Sequence, residues 1–594
     1  MSLYRWVWHP AVVPNPLAAV AAVMIAVSVA ARALIAHRGY LAYDDFPILS
    51  MADRNDPTPD YLFRLFNNHF MPGGHLLSWL ALRFGGFGYG PFLALLVAGQ
   101  AAVSVAFYRL LRLMLPATWT LLVPLTVFLF TPLTLEAGTW WAVGVNVLPM
   151  QLAMVLAVGA QVKYVRTRRP LHLVTLGLSI LLGLLFFEKA ILAVALVFLV
   201  TACLYGDGLW STIRRWWPSW LVLTGVSLAF LGLYSALATS SVRRPSSVAE
   251  VLTFIGQAIS HTLLPGLIGG PWAWFPAGDG APIASPPPAA RWTAIVITAA
   301  FVAYTIWRRR TTASRAWLLL VFYLALVLGL LGATRMGSVY SAVAGSVPRY
   351  IADVAVVAAL AIGVALCGIQ EREEKAAKIR MSPILLTGLA ALLLSSAFTG
   401  IRYGDEWAKK AGRDYLANAR ADLATLPAGT VFMDQPVPEG VVGPLSAPYN
   451  RQSEFFAPLP EGPVFVTQGR DIRVFDQAGH VVKGWIDGPA NRPGPRQGCG
   501  YRITGGPVRI PLTASTAEYW HVIRIAYLSD RDASATVRLG DGEPRGFDVH
   551  RGLNAMFVVV YGGGAEVVLE SGDPAAGICT DEVAVGDLVP APAN

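Results

Sequence analysis

The sequence predicts a polytopic α-helical membrane protein, with about eleven transmembrane helices over residues 1–403, followed by an extracytoplasmic β-sandwich over residues 404–594. Three observations predict this. Of 594 residues, 55% are hydrophobic and only 14% charged, with a mean hydropathy of +0.52; soluble domains carry roughly 25% charged residues. Apolar runs close to the roughly 20 residues that cross a hydrocarbon core recur through the first two thirds of the chain. The charge also divides. Residues 1–403 hold 29 Lys+Arg against 14 Asp+Glu, a net of +15, and residues 404–594 hold 17 against 23, a net of −6. The basic excess therefore belongs to the apolar part, where it encodes membrane orientation, and a nucleic-acid partner is excluded.

The apolar runs lie near 17–36, 91–113, 119–136, 145–162, 171–187, 190–205, 218–238, 293–307, 316–334, 350–368 and 382–399. Only Glu188 and Lys189 separate the fifth from the sixth, and fusing those two would change the parity. Basic connections at Arg109/Arg112, Lys163 to Arg169, Arg214/Arg215, Arg308 to Arg315 and Arg372 to Arg380 fall on every second loop. Those loops and the N-terminus are expected in the cytoplasm. Loops 37–90, 239–292 and 335–349 and the tail after 400 are expected outside a plasma (inner) membrane. Arg5 alone precedes the first run, and ten runs follow it, which reads as an uncleaved anchor.

After residue 404 a short helical stretch, Asp405 to Leu423, leads into Pro/Gly-punctuated alternating segments. Gly462 to Thr467, Val508 to Leu512, Trp520 to Leu528, Ala535 to Leu539 and Leu553 to Tyr561 read as strands of an antiparallel sandwich. Cys499 and Cys579 flank this block. In an exported domain they are expected to form a disulfide worth about 2–4 kcal/mol, rather than to remain two buried thiols. Cys203 and Cys367 fall in spans and read as packing residues.

The chemistry points to Tyr43-Asp44-Asp45-Phe46, directly after the first span. Adjacent carboxylates at a lipid boundary repel one another and are costly to desolvate. One carboxylate can act as a general base, and Asp45 or the pair can ligate a divalent cation such as Mg or Mn.

An acidic doublet in the first exterior loop of a polytopic chain with an exported tail resembles the GT-C superfamily of membrane glycosyltransferases. Those enzymes carry Asp-Asp, Asp-Glu or Glu-Asp at this place and use sugars carried on polyprenyl phosphate or diphosphate. The resemblance covers the layout of roughly residues 1–403 and implies catalytic roles for Asp44 and Asp45. The tail resembles the carbohydrate-binding β-sandwich modules of actinobacterial cell-wall members such as the arabinofuranosyltransferases.

Asp60 to Phe70 spaces Tyr61, Leu62, Leu65 and Phe66 as an amphipathic interfacial helix would. His69 and His75 follow, around Gly73-Gly74. Each histidine reads as a phosphate ligand or proton shuttle, or else as a hydrogen-bonded interface residue. A leaving phosphate needs cationic help, and the exterior candidates are Lys189, Arg243, Arg244, Arg335 and Arg349, with Arg349 favoured. Glu188 and Lys189 read equally as a structural ion pair or as site residues. Asp353, one turn below Arg349, reads as that arginine's partner. Trp485, Tyr519 and Trp520 read singly as core residues and together as a sugar platform.

No GxxxxGK[ST] phosphate loop or HExxH helix is present. The expected activity is transfer of a sugar from a polyprenyl-phosphate donor to a cell-envelope glycan or glycolipid acceptor. The rival class is a non-catalytic membrane protein that binds or translocates lipid-linked glycan. A lipid-to-glycan acyl or phosphoglycerol transferase would need a Ser/His pattern that is not seen.

Overall fold

A computed structural model describes residues 16–238, 243–276, 280–338, 341–370, 381–410 and 412–592. The chain divides into two compact units, residues 1–410 and 411–594. Arg5 and the basic stretch Arg372 to Arg380 lie outside the described residues.

In the first unit, α1 (Pro16–His37) leads into a loop holding α2 (Asp45–Arg54) and α3 (Pro72–Gly85), then α4 (Tyr89–Met114). The helices α5 (Leu122–Phe130) and α6 (Leu135–Thr139) belong to an apolar pair bent by 42° around Thr131. Pro132 removes a backbone donor there, and the Thr131 hydroxyl accepts from Leu133 N instead. Next come α7 (Trp141–Thr167), α8 (Leu171–Leu184), α9 (Leu192–Val200) inside the apolar stretch Glu188–Tyr205, α10 (Trp217–Leu237) and α11 (Val248–Gln257). The unit closes with α12 (Pro288–Arg335), α13 (Val354–Cys367) and α14 (Pro383–Trp407).

Among the described residues eight helices are long and apolar enough to cross a membrane, or nine if the bent pair is one span. One stretch departs from the expected runs. With 14 residues, α8 is about 21 Å long, shorter than a span, because Phe187 turns extended (φ −161°, ψ 123°) before Glu188. Arg308 to Arg315 is the connection expected there: two helical segments of α12 meet at Arg310 (φ 31°, ψ −102°) and fold back on each other, with Phe301 and Trp317 ring centroids 6.0 Å apart and Trp317 Nε1 donating to Thr305 Oγ1 at 2.9 Å. The span holding α13 is 94% buried, so it forms the core of the bundle, packed by α12, α5 and α4.

The first loop also departs from expectation. Only Pro59–Leu62 is helical where Asp60 to Phe70 was expected to be. Asn67 (φ 50°) and Asn68 (φ 62°) adopt left-handed backbone and close a turn between Phe66 and His69, as asparagine pairs do in two-residue turns. Gly73 and Gly74 sit inside α3. Gly73 is required by close approach: a Cβ there would lie 2.7 Å from the Phe186 ring.

The second unit begins with α15 (Gly412–Leu423) and builds eleven strands: β1 (Val431–Phe432), β2 (Val464–Phe465), β3 (Gln468–Gly469), β4 (Ile472–Phe475), β5 (Val481–Asp487), β6 (Tyr501–Ile503), β7 (Val508–Ser529), β8 (Ala533–Leu539), β9 (Arg545–Val549), β10 (Gly552–Ser571) and β11 (Ile578–Pro590). Their order is β9-β8-β10-β7-β11-β5-β4-β1-β2, with β3 on β10 and β6 on β11.

The long strands β7 and β10 pair along two stretches separated by irregularities at Gly562–Glu566. Ile510 and Val567 from one stretch share a core with Ile523 and Val558 from the other, so the two layers face one another as in a sandwich. The all-antiparallel expectation is corrected at one edge, where β1 runs parallel to β2 and to β4. Cys499 and Cys579 are disulfide-bonded, 80 residues apart, and Cys203 and Cys367 are free.

Candidate functional site

The acidic doublet divides. Asp45, the first residue of α2, is fully buried. Its two carboxylate oxygens accept from Ala42 N (2.9 Å) and Ala142 N (2.8 Å). Ala142 lies in the first turn of α7, whose exposed N–H groups favour an anion. Burial pushes the Asp45 carboxyl up to about 8, against the pull of those two N–H groups. Asp45 therefore fastens the loop to α7.

Asp44, the N-cap position of α2, stays half-buried. Asn67 Nδ2 donates to its Oδ1 at 3.4 Å. Tyr43 just before it holds φ 43°, a left-handed conformation that is uncommon for an aromatic residue. That turn, clamped on one side by Asp45, sets the direction in which Asp44 is presented.

Asp45 does not fit a cation ligand, since both its oxygens are taken by backbone donors. Among the described residues no group of three His, Cys, Asp or Glu converges.

The two histidines also separate. His69 Nδ1 donates to Glu188 Oε1 (2.8 Å), while Phe70 N donates to Glu188 Oε2 (3.2 Å). Burial would lower the His69 pKa, but the Glu188 carboxylate outweighs it and holds the ring above its usual value. His75 is 1% exposed, stacks on Tyr61 and donates from Nδ1 to Leu62 O at 3.1 Å. Burial depresses its pKa. It is a packing residue of α3, and the structure does not bring it to Asp44.

Glu188 and Lys189 diverge rather than pair. Lys189 Nζ donates to Asp353 Oδ1 and to Tyr350 O, both at 2.7 Å, and Tyr323 OH donates to Asp353 Oδ2 at 2.8 Å. This corrects the expected Arg349–Asp353 pair. Arg349 Nη1 instead donates to Glu136 Oε2 at 2.8 Å. Glu136 sits on α6 and is 1% exposed. An ionisable residue in an apolar run was the available signal for it; nothing in the sequence marked Tyr323.

Arg349 and Arg335 converge. Their guanidinium carbons lie 5.1 and 4.9 Å from the Tyr350 ring centroid, and Arg349 also lies 5.0 Å from Trp140. Trp140 Nε1 donates to Ala42 O at 3.1 Å, which links the arginine platform to the acidic loop. Asp44 acts electrostatically on both Arg349 and His69, and Arg335 acts on His69. One end of the bundle thus gathers a half-buried carboxylate, a His–Glu pair and two arginines. Among the described residues Arg335 has no carboxylate partner, and its Nε has no hydrogen bond. Arg243 and Arg244 are exposed on the chain before α11.

No protein-family profile and no curated protein matches the chain. Among solved structures, ArnT from Cupriavidus metallidurans bound to undecaprenyl phosphate is 12% identical, with a TM-score of 0.46 over 71% of this chain and 84% of that one. Its apo state gives 13%, 0.43, 70% and 82%. Arabinosyltransferase EmbB from Mycobacterium smegmatis is 13% identical, with a TM-score of 0.36 over 99% of this chain and 66% of that one. The chain resembles GT-C glycosyltransferase structures. At these values the likeness carries no argument, and the functional reading rests on the geometry above.

Proposed function

We propose that the protein is a membrane glycosyltransferase that moves a sugar from a polyprenyl-phosphate donor to a cell-envelope glycan or glycolipid. The observation that supports it is the convergence of Asp44 with Arg335 and Arg349 at one end of a membrane-spanning bundle. Asp44 takes the proton of an acceptor hydroxyl, whose oxygen attacks the anomeric carbon. The bond from that carbon to the phosphate oxygen breaks, and its electron pair leaves with the phosphate. Two guanidinium groups on the faces of Tyr350 stabilise that developing charge. Glu136 and Trp140 position Arg349, and Asp45 positions Asp44. Exposed Trp485 (42%), Tyr519 (64%) and Trp520 (50%) in the second unit present aromatic faces suited to glycan stacking.

The test is consumption of isotope-labelled polyprenyl-phosphate sugar by membranes containing equal amounts of each variant. Asp44→Asn is expected to slow transfer by about 10²–10⁴-fold, the usual contribution of a general base. Unchanged transfer in Asp44→Asn overturns the assignment. Donor that is bound or moved across the membrane, yet never consumed, establishes a carrier instead.

A further inference from the structure

A groove of about 1120 Å³ runs between α1, α5 and α14. Most of its wall is apolar and open to the surroundings: Val23, Val27, Leu34, Leu394 and Ile401 line it and are each more than half exposed. For membrane-spanning helices those surroundings are lipid chains.

Two polar side chains interrupt this wall. Arg32 is 5% exposed and Ser396 is 7% exposed. Arg32 Nη1 and Ser396 Oγ have no hydrogen-bond partner among the described residues. They lie at one height: Gly400 faces Ile35 across the helix contact, and one turn back on each helix come Ser396 and the Ala31–Arg32 pair.

The remaining donors of Arg32 reach Leu129 O, Thr131 O and Thr134 Oγ1 at the end of α5. Those groups are neutral, and no described carboxylate pairs with Arg32. A buried guanidinium with an unfilled N–H and no counter-charge calls for an anion.

We infer that this groove binds an anionic glycerophospholipid of the bilayer, with its acyl chains along α1 and α14 and its phosphate at Arg32. Ser396 donates its hydroxyl to an ester or phosphate oxygen of the same lipid. A sugar donor is the wrong occupant. None of Asp44, His69, Arg335 or Arg349 lines the groove, and α6 stands between. Gly138 of α6 backs onto Arg32, whereas Glu136 holds Arg349 from about 200° around the same helix. A headgroup at Arg32 therefore faces away from Asp44. A lipid seated there braces α6 and, through it, the Glu136–Arg349 pair.

The test uses the purified full chain in mild detergent, with phosphatidylglycerol, phosphatidylcholine and polyprenyl phosphate as probes, read by native mass spectrometry. One phosphatidylglycerol per chain is expected, held about tenfold more tightly than phosphatidylcholine. Excess polyprenyl phosphate should leave it bound. Arg32→Gln and Ala397→Trp are each expected to weaken it about tenfold. Ala397 is an exposed groove residue, so its variant carries the test if Arg32→Gln, which also loosens α1 from α5, does not fold. Equal retention of the two phospholipids, displacement by polyprenyl phosphate, or unchanged binding in Ala397→Trp would each overturn the site. Sugar transfer is not a readout, so failure here is separate from failure of the transferase reading.

Discussion

A carboxylate at a lipid boundary is tolerated either by satisfying it with buried donors or by leaving it partly in water, and the two neighbours here take one route each. Asp45 is satisfied by two backbone N–H groups and Asp44 is not sealed. Because burial raises the Asp45 pKa to about 8, the folded state holds a proton that the unfolded chain releases near pH 4. Folding stability from this group therefore falls as pH rises from about 4 to about 8. Asp45→Asn is expected to remove that slope in thermal unfolding, while costing about 1–3 kcal/mol because its amide cannot accept from both backbone donors. His69 runs by the opposite charge logic: its raised pKa gives a contribution complete below about pH 6.5 and lost as pH climbs through the folded value. His69→Gln should flatten that part of the profile. The doublet itself was legible in sequence, as were Arg335 and Arg349 as candidate cations. The division of labour between Asp44 and Asp45 was not, since it depends on Ala142, 97 residues away.

Elements decide which charges meet. Lys189 and Asp353 are 7% and 0% exposed and 164 residues apart, joined because the chain after α8 packs against the start of α13. Removing one member, as in Asp353→Asn, leaves a buried ammonium and is expected to cost about 3–5 kcal/mol in detergent unfolding assays. Spacing alone favoured Arg349 for Asp353, since the two are a turn apart, but the bend between α5 and α6 brings Glu136 to Arg349 instead. The interfacial helix expected over Asp60 to Phe70 failed for a local reason. Apolar spacing favoured a helix, but Asn67 and Asn68 accept left-handed backbone and close a turn. In the second unit, Cys499→Ser with Cys579→Ser is expected to lower stability by about 2–5 kcal/mol, as befits a loop of 80 residues, measured by denaturant unfolding with and without reductant.

At the scale of the whole molecule, basic loops on alternate connections propose a cytoplasmic N-terminus and an exported tail. Alkaline phosphatase fused after Asn594 should be active and a fluorescent protein fused there dark; the reverse pattern would place the tail in the cytoplasm. The sequence by itself determined the membrane class, the placing of an acidic doublet after the first span, and the strand-rich tail, because hydropathy, charge bias and turn residues act over short stretches of chain. Tertiary structure decided which carboxylate is presented, which arginine pairs with which acid, and that Arg32 and Ser396 share one groove. Those outcomes depend on side chains tens to hundreds of positions apart, and only the packing of helices in three dimensions fixes the distances over which their charges and hydrogen bonds act.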